Sequence, residues 1–138
     1  MSYAIVSQVN WLAVLVATLP TTVLGFVYFA VTFGKTYATI LGRPFDPKAK
    51  PAPIFIVGPL ICTLVTNIAN AIFIKAMGIT MIGDALSFGA LVGVGYLVAT
   101  MTNVAINPNM PHPLRYAILN APYFLAINLI ACAILVSM

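Results

Sequence analysis

Four long apolar segments, each holding at most one charged residue, restrict the fold of this 138-residue chain more than any other feature. They cover residues 10–33, 54–77, 85–106 and 114–136. About 20 apolar residues in an α-helix cross the hydrocarbon core of a bilayer. Charged residues make up only 6% of the chain, whereas a soluble domain has roughly 25%. We therefore expect residues 1–138 to form one all-α domain, a polytopic membrane protein with four transmembrane helices.

The positions of the Lys and Arg residues predict how these helices are oriented. Five of the six lie in the first and third connections or at their edges: Lys35, Arg43, Lys48, Lys50 and Arg115. Cytoplasmic loops carry an excess of such residues. We therefore expect these two connections to be cytoplasmic, both termini to lie on the outer side, and the helices to form an antiparallel bundle in a bacterial inner membrane. The same five cations are candidates for contact with lipid headgroups.

The N-terminus and the connections add detail to this topology. Residues 1–10 contain no Lys or Arg, so we expect the first apolar segment to be a spanning helix and not a signal peptide. The stretch KTYATIL after it can continue as a short interfacial helix, and the proline-rich RPFDPKAKPAP is expected to be an extended linker. Because the cations lie in short connections, not on one face of a folded domain, we expect no binding to nucleic acid.

Polar side chains within the apolar segments are the candidate functional residues. Asn67, Tyr96 and Asn128 are predicted near the membrane midplane, and Asn103 and Asn120 at a second level toward the cytoplasm. The full candidate solute-lining set is Asn67, Asn70, Tyr96, Asn103, Asn120, Tyr123 and Asn128. Amides in lipid need hydrogen-bond partners, so these residues must face protein or an aqueous cavity. Two interpretations stay open: hydrogen bonds between helices, or the lining of a solute path.

Small residues predict where helices approach closely. Ala85, Gly89 and Gly93 recur every four residues on the third segment, and Gly25 lies on the first. A stripe of this kind lets another helix approach its backbone. Its partner can be in the same chain or in a second copy, and the large lipid-facing surface of so small a protein favours a homo-oligomer.

The residues needed for catalysis are scarce. The chain has a single histidine, His112, and two acids, Asp46 and Asp84, none of them in the middle of an apolar segment. A zinc site needs three or four converging ligands, and no nucleophile and base are paired by spacing. We expect no enzyme activity, no catalytic residue, no metal and no cofactor.

The end of the first apolar segment carries a recognisable pattern. It reads GFVYFAVTFGKTYATILG from Gly25, and the later segments include TMTNVAIN and LRYAILNAPYFL. This pattern resembles a bacterial family of small four-helix membrane proteins known as domain of unknown function 1761. The family-like positions are Gly25, Tyr28, Phe33, Gly34, Lys35, Asn103, Asn120 and Tyr123. The chain departs from the pattern at Tyr37, where tryptophan is expected. The resemblance implies fold and topology but no activity.

Two functions are compatible with these features. The first is an oligomeric channel or carrier for a small neutral or weakly polar solute, lined by the polar set. It predicts a continuous polar cavity. The second is a structural or accessory subunit that packs within a larger membrane complex. It predicts a dry, well-packed bundle.

Overall fold

The computed structural model describes residues 3–138, and within this range the chain forms helices and no strands. Four helices are long and apolar enough to cross a membrane: α1 (Trp11–Thr32), α2 (Ile54–Ala76), α3 (Ile82–Ala105) and α4 (Pro113–Ser137). The predicted number of membrane-length helices is confirmed. Pro113 starts α4 at a position where a missing N–H costs nothing.

Short elements surround the long helices. A helical turn, Tyr3–Val6, precedes α1, and a connecting helix, Gly34–Ile40, follows it. Gly42 lies two residues after the connecting helix, and its φ of +68° is the left-handed conformation that favours glycine. Gly78 lies two residues after α2 and has a similar φ of +65°. These glycines redirect the chain immediately after each helix.

The fourth helix is the centre of the packing. It contacts α1, α2 and α3, while α1 also contacts α2, and α3 packs mainly against α4. At one end of the molecule Ile74, Ala85, Phe88 and Cys132 form a common apolar cluster. The amide of Asn10, which caps α1, donates to the carbonyl of Met138 over 3.2 Å at the end of α4. Because α3 packs mainly against α4, much of its surface is left uncovered by the rest of the chain.

Two of the long helices contain a π-helical segment. One covers Val27–Thr32 in α1, and the other covers Gly93–Val98 in α3. A π turn takes one more residue than an α turn, because each N–H bonds to the carbonyl five residues back. The residues after each segment therefore lie on a different face from the one that regular α-helical spacing predicts.

Candidate functional site

Four asparagine side chains lie in the interior between the long helices. Asn67, Asn70, Asn120 and Asn128 are each only 2% exposed. Asn67 and Asn70 come from α2, and the other two come from α4. An amide buried in this way is stable only if its N–H and C=O groups are bonded.

The hydrogen bonds of three of these asparagines, Asn67, Asn70 and Asn128, connect all four long helices. The Asn70 amide donates to Oδ1 of Asn128 over 2.7 Å, and the Asn128 amide donates to the carbonyl of Gly89 over 2.7 Å. This relay joins α2, α4 and α3. The Asn67 amide donates to Oγ1 of Thr18 over 3.1 Å and joins α2 to α1. The sequence indicated no partner for Asn67.

The interior is polar but leaves no buried group free for a solute. The hydroxyls of Thr18 and Thr21 donate to carbonyls of their own helix, at 2.7 Å to Val14 and 2.8 Å to Ala17. Between residues 3 and 138, every buried side-chain nitrogen and oxygen has a hydrogen-bond partner. Asn67, Asn70 and Asn128 therefore link helices, as expected from the first of the two interpretations left open by the sequence.

Tyr96 and Asn103 are not buried, which corrects the sequence prediction. Tyr96 is 69% exposed and Asn103 is also on the outside of α3. Regular α-helical spacing from Ala85 and Gly89 places both on the face that meets α4. The π segment Gly93–Val98 adds a residue, so the buried face continues through Ala105 instead. Tyr96 and Asn103 consequently face away from the other helices.

Asn120 and Tyr123 lie apart from the central amides. The Asn120 amide donates to the carbonyl of Tyr116 in its own helix over 2.7 Å. The ring of the half-buried Tyr123 packs 4.8 Å from that of Phe29 and 5.6 Å from that of Tyr28. The Tyr28 hydroxyl donates to the carbonyl of Leu119 over 2.9 Å. These residues form an aromatic contact between the end of α1 and α4.

The predicted small residues all serve packing within the chain. An ideal Cβ on Gly89 would lie 3.2 Å from Sγ of Cys132, and one on Gly93 would lie 3.0 Å from Cδ1 of Leu125. Ala85 is completely buried. The stripe that the sequence left without an assigned partner therefore faces α4, and it brings the Gly89 carbonyl within reach of Asn128.

Gly25 meets the aromatic contact, and its replacement gives a first prediction. An ideal Cβ on Gly25 would lie 2.6 Å from the hydroxyl oxygen of Tyr123 and 3.3 Å from its Cζ. Gly25→Ala should lower the free energy of unfolding by about 1 kcal/mol, because the Tyr123 ring must move. The measurement is unfolding by SDS titration in mixed micelles, followed by circular dichroism.

A second substitution tests this explanation. Tyr123→Phe removes the clashing oxygen and should restore most of the loss when it is combined with Gly25→Ala. Gly58→Ala is the control, since the nearest atom to its ideal Cβ is 3.9 Å away. Equal losses for Gly25→Ala with and without Tyr123→Phe would contradict the proposed clash.

The five predicted headgroup cations are exposed: Lys35, Arg43, Lys48, Lys50 and Arg115. Near them, burial and then the Tyr116 side chain raise the pKa of Tyr37 in the connecting helix, while Arg43 opposes the shift. Tyr37 therefore stays neutral and contributes its ring, 5.9 Å from that of Tyr116. The structure thus places apolar and aromatic surface directly beside the cations.

Two hollows lie at opposite ends of α1 and α4. One, of about 170 Å³, includes Asn10, Ala71, Ile74 and Leu135 in its lining. The other, of about 500 Å³, lies between the connecting helix and the start of α4, and we call it the basic groove. Its lining is Tyr28, Lys35, Thr36, Thr39, Ile40, Arg115, Ile118 and Leu119. None of the seven predicted solute-lining residues borders either hollow.

Metal-ligating residues are not brought together within residues 3–138. No group of three or more His, Cys, Asp or Glu in this range could hold a metal ion. His112 is exposed at the residue before α4, and Asp46 accepts a hydrogen bond from the backbone N–H of Lys48. His112 and Asp46 both lie in the connections between the long helices.

The helices and their bonded polar interior define a small all-helical protein with the spans of a multi-pass membrane protein. The chain belongs to the family described as "Protein of unknown function (DUF1761)", whose sequence model matches residues 12–136. The resemblance carried by the Gly25–Lys35 pattern is thereby confirmed. No curated protein and no solved structure matches the chain.

Proposed function

We propose that this protein is a structural or accessory membrane subunit that works by associating with another membrane chain, either a second copy or part of a larger complex. The observation that carries this proposal is that the asparagine side chains of α2 and α4 are buried, whereas several polar groups of α3 are exposed. The buried amides of α2 and α4 are all bonded inside the chain, whereas Tyr96, Thr100 and Asn103 on α3 face outward and form no side-chain hydrogen bond within residues 3–138. The outward polar groups of α3 are therefore free to bond to a helix of a neighbouring chain.

The outward face of α3 has the properties of a helix-packing surface. An ideal Cβ on Gly95 has no atom within 4 Å, and Ala99 follows four residues later, also exposed. The exposed side chains of Tyr96, Thr100 and Asn103 form no hydrogen bond within residues 3–138. In lipid, a helix of a neighbouring chain would supply their partners, and Gly95 and Ala99 would let it approach closely.

The proposed orientation follows from the charges. Five exposed cations belong to the first and third connections or their edges. We propose that these connections are cytoplasmic, that both termini lie outside, and that the four helices run antiparallel through a bacterial inner membrane. Catalysis forms no part of this proposal, because no paired nucleophile and base were found in the sequence.

A second candidate, the oligomeric channel or carrier, rests on the same outward face. If several copies met around an axis, Tyr96, Thr100 and Asn103 could line it. The asparagines Asn67, Asn70 and Asn128 would not, since each is bonded between helices of one chain. In this second candidate, the solute path would therefore run between protomers and not through one of them.

Cysteine chemistry on α3 distinguishes the two functions. In a background with Cys62→Ser and Cys132→Ala, we would introduce Ala99→Cys for disulfide cross-linking and Tyr96→Cys for labelling by a charged, membrane-impermeant thiol reagent. Val65→Cys is the control, because Val65 is exposed on a different helix, α2. Cross-links are resolved on non-reducing gels, and larger adducts are identified by mass spectrometry.

The subunit proposal predicts cross-linking at position 99, none at 65, and no labelling at 96. Labelling at 96 together with cross-linking at 99 would favour the channel. Ala99→Cys that forms no adduct, with the protein monomeric in mild detergent, would contradict both functions.

A further inference from the structure

The basic groove combines two cations from different elements with apolar walls. Lys35 comes from the connecting helix and Arg115 from the first turn of α4. The two acids of the chain, Asp46 and Asp84, are not among the residues that line it. The groove therefore carries uncompensated positive charge.

Neither cation is engaged elsewhere. Both side chains are exposed, and neither forms an ion pair or a hydrogen bond within the described part of the chain. Lys35 offers three N–H donors and Arg115 a planar fork that suits phosphate oxygens. Because both groups line one groove, we expect them to contact a single anion together.

The remainder of the groove is suited to hydrocarbon. Ile118 and Leu119 of α4 follow Arg115 by one helical turn, and Ile40 of the connecting helix is also part of the lining. Its volume of about 500 Å³ lies within the range of small-molecule sites, roughly 300–1,000 Å³. A free anion would leave these apolar side chains without a partner.

We propose that the basic groove is a binding site for one anionic phospholipid, with the phosphate between Lys35 and Arg115 and the upper part of an acyl chain along Ile118 and Leu119. The hydroxyl of Thr36 lies in the same lining and can donate to a headgroup oxygen. Arg43, Lys48 and Lys50 do not line the groove, so they would contribute only to general attraction toward an anionic surface. This site is independent of the outward face of α3.

The test is native mass spectrometry of the full chain released from mild detergent after titration with phosphatidylglycerol. We expect one tightly retained lipid per chain and weaker retention of phosphatidylcholine. Lys35→Gln and Arg115→Gln should each weaken phosphatidylglycerol binding about fivefold, and the double variant about twentyfold. Lys48→Gln with Lys50→Gln is the matched control, because it removes the same two positive charges as the double variant, but from exposed positions outside the groove, and should change binding less than twofold.

Two further arms exclude other sources of the signal. Inorganic phosphate and dihexanoyl phosphatidylglycerol should bind much more weakly than the long-chain lipid, since they fill little or none of the apolar wall. Equal losses in the groove and control variants, or full competition by inorganic phosphate, would overturn the proposal. Circular dichroism melts of the variants confirm that any loss of lipid occurs in folded protein.

Discussion

Replacing Asn128 with leucine should lower the free energy of unfolding by about 2 kcal/mol. Asn128 accepts a hydrogen bond from Asn70 and donates one to the carbonyl of Gly89. Leucine has the same number of side-chain heavy atoms but bonds to neither group, so the buried Asn70 amide would be left unpaired and the Gly89 carbonyl would keep only its backbone hydrogen bond from Gly93. SDS titration in mixed micelles, followed by circular dichroism, measures the loss.

Asn103→Leu is the matched control for this experiment. Asn103 is exposed and forms no hydrogen bond within residues 3–138, so the same change should leave the unfolding of the monomer within about 0.5 kcal/mol of the parent. Asn70→Leu combined with Asn128→Leu should cost less than the sum of the single changes, because both members of the pair are then removed. Equal effects of the Asn128 and Asn103 substitutions would contradict the role assigned to the relay.

Gly89→Leu should have an even larger effect, about 3 kcal/mol. An ideal Cβ at this position would already lie 3.2 Å from both Cβ and Sγ of Cys132 and 3.5 Å from the carbonyl oxygen of Asn128. A leucine must push α3 away from α4, and the hydrogen bond from Asn128 to the Gly89 carbonyl would be lost as the backbones separate. The same detergent titration measures this change.

Gly83→Leu controls for the effect of adding a leucine to α3. An ideal Cβ on Gly83 has no atom within 4 Å, so this variant should unfold like the parent. Gly89→Ala should fall between the two, since a single methyl group requires a shift of only a few tenths of an ångström. If Gly89→Leu and Gly83→Leu proved equally stable, the close approach of α3 to α4 would be disproved.

The pattern of apolar segments along the sequence predicted the number of membrane-length helices. Apolar segments of more than 20 residues leave few alternatives, because the backbone of a spanning segment must satisfy its own hydrogen bonds. The burial of Asn67, Asn70 and Asn128 also followed from the sequence, since an amide in an apolar helix needs a partner. Which partner each amide has could not be predicted, because that depends on how the helices are arranged around α4.

The errors at Tyr96 and Asn103 have one local cause. Regular α-helical spacing assigns both to the buried face of α3, and the π segment Gly93–Val98 moves them to the outside. No residue in GVGYLV predicts that extra residue in the turn. The π segment begins at Gly93, four residues after Gly89, and both glycines pack closely against α4. Helix contacts of this kind are not encoded locally.

The sequence by itself determined that this is a helical protein with four membrane-length segments, since hydrophobic length and the scarcity of charge act on each segment independently. The tertiary structure alone decided which polar groups are bonded inside, which face outward on α3, and which two of five cations share a groove. Those outcomes depend on the relative rotation and neighbours of the helices, which are set by contacts between residues far apart in the chain.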